Sequence, residues 1–251
     1  MINKKEILNS IFFPRKSHLK KGELDHIVPV EEGVGVGVRF YLKSNRFDNI
    51  IFFHGNAELA EEYVDIAPMY HAQAINLIVV DYRGYGLSGG TPTKENLLSD
   101  ASKIFNYTLK YLSDKKFNGK KIVMGRSLGS ASAWEIASKY DYLLDGCIIE
   151  SGFCTEIPLF NLWGISPDSI DFELSDGFNS LSKIKEYEKP LLVIHAKLDH
   201  IVPFSEGELA YRSAGSENKK ILVVESANHN NIIYCIGDEY FKDIRGFIDS
   251  L

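Results

Sequence analysis

The chain has 251 residues, of which 45% are hydrophobic and 12% aromatic, enough for one substantial core, so we expect a single domain over residues 1–251. A net charge of −6 and an isoelectric point near 5.7 leave no basic footprint for nucleic acid, which excludes that partner class. No apolar run reaches the roughly 18 residues of a membrane-spanning helix, so we expect a soluble protein.

The cysteines and the start of the chain bear on the compartment. Cys147, Cys154 and Cys235 are odd in number and lack CxxC spacing, which argues against a disulfide framework or a zinc site. The opening "MINKKEILNSIFFPRK" has charges on both sides of "IFF" and no small-residue cleavage site, unlike a secretory signal. We therefore expect a cytoplasmic protein.

Residues 1–21 are basic, with an excess of five positive charges over negative ones. Lysine-rich termini are usually solvated tails or surface helices. A basic segment that contains "IFF" is also suited to weak contact with an anionic membrane surface. The sequence leaves both interpretations open.

Apolar runs and helical patterns alternate along the rest of the chain. "HIVPVEEGVGVGVRFYLKS" has period-two alternation with glycines, which predicts an antiparallel hairpin at a sheet edge. Near-continuous apolar runs, typical of parallel strands buried on both faces, follow at 50–55, 76–84, 121–127, 144–151, 190–199 and 220–226. Helical patterns occupy 58–71, 94–113, 129–140, 205–214 and 237–250. This alternation predicts an α/β fold with helices around a mostly parallel sheet, and ligands at the carboxyl ends of its strands.

One serine lies between two glycines at such a strand end. In "KIVMGRSLGSASAW", Gly125, Ser127 and Gly129 form GxSxG, directly after a strand and directly before a helix. A serine at this sharp turn has strained backbone angles, and its neighbours two residues away must be small because strand and helix crowd together. Serine between glycines also occurs in ordinary turns, but the strand before and the helix after favour a nucleophile.

A serine hydroxyl needs a base, and the base needs an orienting carboxylate. Asp199 and His229 each follow a later apolar run and give the chain order serine, aspartate, histidine. Taken singly, Asp199 could be a turn-forming residue and His229 a surface-loop residue. The alternatives are His200 as the base, with His195 less favoured, and Asp171 or Glu150 as the acid.

The oxyanion of a tetrahedral intermediate needs two N–H donors. One is expected from the backbone of Leu128, directly after the nucleophile. The loop "HGNAE", residues 54–58, should supply the other, because Gly55 lets the backbone turn so that the N–H of Asn56, or of Ala57, points inward. His54 is interpreted as a structural hydrogen-bonding residue.

These motifs carry a family resemblance. "HGNAE", "DYRGYGLSGGTP", "GRSLGS", "ESGF", "HAKLDHIVP" and "ESANHNN" together resemble the α/β-hydrolase superfamily, and more narrowly its HGNA-bearing serine-hydrolase branch of depalmitoylases, lysophospholipases and esterases. The resemblance covers nearly all of the chain from about residue 26 and implies an α/β-hydrolase fold. It further implies a catalytic set of Ser127, Asp199 and His229, oxyanion donors Asn56 and Leu128, and no metal or cofactor. We expect neither the cysteine-rich N-terminus of the animal depalmitoylases nor the membrane anchor of several relatives.

An interval between two strands, at about 154–188, matches no strand of the sheet and is expected to form a short lid over the serine. Its aromatic residues suit a small-molecule or lipid-like acyl substrate, or they simply pack the insertion onto the domain. Its stretch "SPDSIDFELSD" contains Asp168, Asp171, Glu173 and Asp176, which could attract a cationic substrate or form a solvated face.

The sequence thus predicts a serine hydrolase that cleaves a carboxylic ester or thioester through an acyl-enzyme on Ser127. The alternative within enzymes is a peptidase or aminopeptidase on short peptides, for which a lid carboxylate that binds the substrate amine would be diagnostic. The alternative of another class is a non-catalytic ligand-binding or scaffold protein on the same fold.

Overall fold

The computed structural model describes residues 4–251 and contains one sheet of eight strands in the order β1-β2-β4-β3-β5-β6-β7-β8. The strands are β1 Asp25–Glu31, β2 Val34–Tyr41, β3 Asp48–Phe53, β4 Ile75–Val80, β5 Lys121–Arg126, β6 Gly146–Glu150, β7 Leu191–Ala196 and β8 Lys219–Val224. β1 pairs antiparallel with β2, and β2 antiparallel with β4, whereas all pairs from β4 to β8 are parallel. The predictions of an α/β fold, a mostly parallel sheet and an N-terminal antiparallel hairpin are confirmed.

The described helices are α1 Lys4–Ser10, α2 Ala67–Ala72, α3 Lys94–Asp114, α4 Gly129–Lys139, α5 Ile157–Leu162, α6 Ser180–Glu186, α7 Phe204–Ser213, α8 Ile232–Ile236 and α9 Asp238–Asp249. The helical pattern at 58–71 is instead divided into a 3₁₀ turn, Ala60–Val64, and the short α2. Pro68 lies in the first turn of α2, where a missing N–H costs nothing, so it starts a new helix rather than continuing one.

The sheet separates two apolar layers. Successive residues of β3 point to opposite faces, so Ile51 packs with α3 and α4, and Phe52 packs with α2 and α9. β4 and β7 are buried at every position, as expected for strands covered on both sides. The loops at the carboxyl ends of the parallel strands lie outside these apolar layers and can carry function.

The segment between β6 and β7 contains α5 and α6 and lies at that same edge. A third apolar cluster joins it to the start of the chain, because Ile7 and Leu8 of α1 pack on Phe160 of α5. The Lys4 ammonium also lies 2.8 Å from an Asp176 carboxylate oxygen. Residues 4–10 therefore form a packed surface helix rather than a solvated tail. No helix within residues 4–251 is long and apolar enough to cross a lipid bilayer.

Candidate active site

Ser127 lies at a strained turn between β5 and α4. Its φ of +50° is left-handed, a conformation that costs a residue with a side chain about 1–3 kcal/mol. The flanking glycines are required by space: a Cβ on Gly125 would lie 2.5 Å from the Gly129 carbonyl oxygen, and one on Gly129 would lie 2.0 Å from that of Phe53. The crowding inferred from GxSxG is therefore present in the structure.

The structure brings the three predicted catalytic side chains together from separate strand ends. His229 Nε2 lies 3.0 Å from Ser127 Oγ, and His229 Nδ1 lies 2.7 Å from Asp199 Oδ2. All three residues are buried. Because Nδ1 faces a carboxylate, it carries the proton, which leaves Nε2 as an acceptor for the serine proton. This is the arrangement that a base-activated serine requires.

Asp199 is held as an anion by its surroundings. Burial by itself would raise the pKa of this carboxyl, but the His229 hydrogen bond and charge, with the backbone N–H groups of Val202 and Ile201, hold it below its ordinary value. Those two N–H groups donate to Oδ1 at 2.8 and 2.9 Å, which leaves Oδ2 for His229. The carboxylate is therefore ionised and fixed in direction at neutral pH.

None of the alternative residues is placed to act on Ser127, although His195 Nε2 lies 3.6 Å from Asp199 Oδ2. His200 is exposed, and His195 is completely buried with its Nε2 2.9 Å from the Val202 carbonyl oxygen. Burial lowers the pKa of His195, so it supports the Asp199 loop as a neutral ring. Glu150 binds Arg126 and Tyr240, and Asp171 is exposed.

The two expected oxyanion donors are available. Within residues 4–251, the backbone N–H groups of Asn56 and Leu128 have no hydrogen-bond acceptor. The Gly55 carbonyl oxygen lies 2.7 Å from His54 Nδ1, and because a trans peptide points its C=O and N–H in opposite directions, the Asn56 N–H faces away from His54. The left-handed residue of this turn is Ala57, with φ +61°. The expectation that Gly55 is needed for a flexible turn is therefore wrong. Glycine is needed at this position for space, because a Cβ there would lie 2.3 Å from a Glu58 carboxylate oxygen.

His54 and Asp81 form a buried ion pair behind this loop. His54 Nε2 lies 3.1 Å from Asp81 Oδ1, which also accepts the Ala60 N–H at 2.9 Å. Burial disfavours the imidazolium, but the Asp81 hydrogen bond and charge more than compensate and raise the pKa of His54. Both ring nitrogens face acceptors, which favours the doubly protonated ring. The structural role inferred for His54 matches this geometry.

Arg126 was not singled out from the sequence. Its guanidinium donates to the Glu58 carboxylate, to Glu150 Oε1 at 3.1 Å, and to the His229 carbonyl oxygen at 2.7 Å. It thereby ties the loop of the base to the strand of the nucleophile. Its position directly before Ser127 in GRS was a possible signal in the sequence. An arginine on the surface would look the same there, because Glu58 and Glu150 are distant in the chain.

A cavity of about 400 Å³ opens over Ser127. One part of its lining is polar and comprises Asn56, Glu58, Arg126, Ser127, His229 and Asn230. The larger part is apolar and comprises Ile11, Phe13, Leu128, Phe153, Leu159, Leu162, Trp163 and Ile201. A cavity of this size and character suits an apolar group held against the nucleophile.

The insertion contributes to this cavity with apolar side chains only. Leu159, Leu162 and Trp163 line it, whereas Phe160 packs on α1 and Phe178 packs on Phe153. Trp163 thus fits the interpretation of an aromatic residue that faces the substrate, whereas Phe160 and Phe178 fit the interpretation of residues that pack the insertion onto the domain. None of its carboxylates lines the cavity, and within residues 4–251 no cluster of three or more His, Cys, Asp or Glu side chains could hold a metal ion.

Comparisons with known proteins agree with this architecture. The family model described as serine aminopeptidase, S33, matches residues 45–167, which include Ser127 but end before Asp199 and His229. Protein bem46 of Schizosaccharomyces pombe is 29% identical over 204 residues, which cover 79% of this chain and 66% of bem46. The α/β hydrolase domain-containing protein 17C of Homo sapiens is 28% identical over 211 residues, which cover 82% of this chain and 59% of 17C. The chain therefore spans about two thirds or less of these two relatives.

Solved structures share the fold at lower identity. Est1E of Butyrivibrio proteoclasticus, solved with ferulic acid, matches with a TM-score of 0.73 and 17% identity over 90% of this chain and all of Est1E. A soluble variant of the monoglyceride lipase of Saccharomyces cerevisiae, solved with a substrate analog, matches with a TM-score of 0.72 and 17% identity over 94% of this chain and 97% of the lipase chain. Both matches cover at least 90% of this chain.

Proposed function

Since this chain belongs to the α/β-hydrolase superfamily, we propose that it is a serine hydrolase that cleaves a carboxylic ester through an acyl-enzyme on Ser127. The observation that carries the proposal is the hydrogen-bonded chain Ser127–His229–Asp199, with distances of 3.0 and 2.7 Å, at the base of a largely apolar cavity. In such a chain the imidazole can take the proton of the serine hydroxyl while the carboxylate orients the ring.

In the acylation half-reaction, Ser127 Oγ attacks the ester carbonyl carbon while its proton moves to His229 Nε2. The carbonyl π electrons become an oxyanion, which the N–H groups of Asn56 and Leu128 hold. When the intermediate collapses, the bond to the alcohol oxygen breaks, and His229 returns the proton to that oxygen. Asp199 stabilises the imidazolium in between and stays ionised.

Deacylation repeats these steps with water. His229 Nε2 takes one proton of a water molecule as its oxygen attacks the acyl carbon, and the same two N–H groups hold the second oxyanion. The bond to Ser127 Oγ breaks, the serine regains its proton from His229, and a carboxylic acid leaves. The residues named here complete the cycle without another proton donor.

The lining of the cavity supports an acyl substrate of lipid-like character. Phe13, Leu162 and Trp163 are partly exposed, at 53%, 48% and 37%, so an apolar chain would cover surface that now faces water. A thioester offers the same carbonyl and a better leaving group, so the proposal extends to thioesters. The relatives named for hydrolase domains and the solved esterase-like folds are consistent with this chemistry.

A peptidase is the second candidate, because the matching family model is described as a serine aminopeptidase. Recognition of a free amine needs an available carboxylate near the serine. The insertion supplies no carboxylate to the cavity. The carboxylate that does line the cavity, Glu58 of the loop after β3, is already bound by Arg126 and by the Tyr63 hydroxyl at 2.5 Å. The geometry therefore favours the ester.

The test compares wild type with Ser127→Ala in labelling by a fluorophosphonate and in hydrolysis of p-nitrophenyl esters of increasing acyl length. Ser132→Ala is the matched control, since Ser132 is buried in α4 and its hydroxyl has no hydrogen-bond partner within residues 4–251. We expect Ser127→Ala to abolish labelling and to lower kcat by about 10⁶-fold, with Ser132→Ala close to wild type. Folded wild type that neither labels nor hydrolyses any ester would favour the non-catalytic binding or scaffold protein. Faster cleavage of aminoacyl p-nitroanilides than of esters would favour the peptidase.

Cytoplasmic localisation and weak contact of the basic N-terminus with an anionic membrane stay predictions. Three of the N-terminal charges pair with carboxylates, since Lys4 pairs with Asp176, Lys5 with Glu95 and Arg15 with Glu62. Lys16 Nζ also donates to the Ser88 carbonyl oxygen. Any attraction to anionic lipid would therefore rest mainly on the exposed Lys20 and Lys21.

A further inference from the structure

Residues 11–17, here called the strap, cross the edge of the active site after α1. The strap is bound to the loop that follows β4: the Gly86 N–H donates to the Arg15 carbonyl oxygen at 2.8 Å, and the Ser17 N–H donates to the Gly86 carbonyl oxygen at 3.1 Å. Ile11 and Phe13 line the cavity over Ser127. The strap lies outside the range of the family model, which begins at residue 45.

The strap encloses the side chain of Asn56 in hydrogen bonds. Asn56 Nδ2 donates to the Ile11 carbonyl oxygen at 2.6 Å, and Asn56 Oδ1 accepts the Phe13 N–H at 3.0 Å. The buried Tyr85 hydroxyl donates to the same Oδ1 at 2.6 Å and accepts from the Phe13 N–H at 2.8 Å. The amide of Asn56 is thus held at both ends by backbone groups of the strap, with Tyr85 between them.

A second connection lies one residue further along the loop. Arg15 Nη1 donates to the Ala57 carbonyl oxygen at 2.6 Å, and Arg15 also pairs with Glu62. Ala57 is the strained, left-handed residue of the loop, so its conformation persists only where its surroundings enforce it. Arg15 is half exposed, so this enforcement does not depend on the core.

We propose that the strap positions the oxyanion donor, with Tyr85 and Arg15 as the positioning residues. His54 holds the inner side of the loop through the Gly55 carbonyl, and the strap holds the outer side through Asn56 and Ala57. The Asn56 N–H lies between these two restraints, so its direction is fixed before substrate arrives, which is the condition for effective oxyanion stabilisation. The inference rests on the proposed function, because it assigns the strap to the same reaction.

The experiment uses the full chain with Tyr85→Phe and Arg15→Gln. Tyr187→Phe and Arg212→Gln are the controls: Tyr187 is a buried tyrosine that donates to the Pro190 carbonyl oxygen, and Arg212 is exposed on α7. For a p-nitrophenyl ester we expect each strap variant to lower kcat about tenfold with KM unchanged, less than the 10²–10³-fold loss of a whole oxyanion donor. The affinity for a trifluoromethyl ketone, which forms an oxyanion with the serine, should fall by the same factor as kcat/KM. A structural defect elsewhere in the protein would lower kcat/KM and the affinity for the ketone by different factors.

Hydrogen exchange of residues 54–58 provides a readout that does not need turnover, and it should accelerate in both strap variants but in neither control. Equal kcat and equal exchange in strap variants and controls would overturn the inference. If Tyr85→Phe does not fold, the half-exposed Arg15→Gln decides. If wild type hydrolyses and labels nothing, the proposed function fails, and the exchange measurement still decides whether the strap restrains this loop.

Discussion

Replacing Gly129 by alanine tests the link between the glycines and the oxyanion donors. A Cβ at this position would lie 2.0 Å from the Phe53 carbonyl oxygen and 2.7 Å from that of His54. Since such contacts do not occur below about 3 Å, α4 must retreat from β3 by about 1 Å, which costs about 1–3 kcal/mol as overpacking. Gly129 is the first residue of α4 and not an interior one, so the better helix propensity of alanine offsets little of this cost. We expect a net loss of about 1–3 kcal/mol in the free energy of unfolding.

The same displacement moves Leu128 and the loop after β3 relative to each other, so both oxyanion donors are misplaced. A shift of about 1 Å in a catalytic group lowers the rate by about 10²-fold. The assay combines urea unfolding with kcat/KM for a p-nitrophenyl ester. Gly246→Ala is the control, because nothing lies within 4 Å of a Cβ there, and it should add about 0.5–1 kcal/mol of stability without changing the rate. A Gly129→Ala protein as stable and active as Gly246→Ala would refute the steric reasoning.

Three further changes test other parts of the site. Asp199→Asn keeps acceptors for its loop N–H groups but offers His229 an amide, so we expect kcat to fall by about 10⁴-fold, and a fall of less than tenfold would contradict the role of the carboxylate. Trp163→Ala removes part of the apolar wall, so KM for a long-chain ester should rise about five- to tenfold while an acetate ester is unaffected, and an equal change for both esters would argue against an acyl site there. Because the pKa of His54 is raised in the folded state, its pair with Asp81 contributes stability that is full below about pH 6.5 and is lost as pH rises through the raised value. The free-energy difference between wild type and Asp81→Asn should therefore shrink in alkali, and a constant difference from pH 6 to pH 10 would contradict the ion pair.

Much of this molecule was predictable because its strands are buried on both faces. Burial on both sides demands continuous apolar runs, and such runs locate each strand end and hence the residues that follow it. Ser127, Asp199 and His229 could be named in this way although they are distant in the chain. The hairpin was equally visible, since only strands with one polar face alternate.

Other features had no local signal. The strap contacts Asn56 mainly through backbone groups, which carry no residue preference, and its basic residues resemble those of any solvated terminus. Arg126 looked like a surface residue because Glu58 and Glu150 approach it only in the folded chain. Gly55 suggested a flexible turn, whereas the structure uses it to leave room for a carboxylate and gives the left-handed conformation to Ala57.

Periodicity and the short GxSxG and HGNA patterns were sufficient to predict the α/β fold, the positions of the strand ends along the chain and the candidate triad. These depend on contacts between near neighbours in the chain or on the burial of whole strands, and such constraints are written into residue type at each position. The tertiary structure alone decided that the N-terminal segment lines the site, which insertion side chains face the cavity, and how Arg126 connects the nucleophile to the base. Those contacts join residues about 45 to 100 positions apart through backbone atoms and ion pairs, and many sequences satisfy such groups equally well.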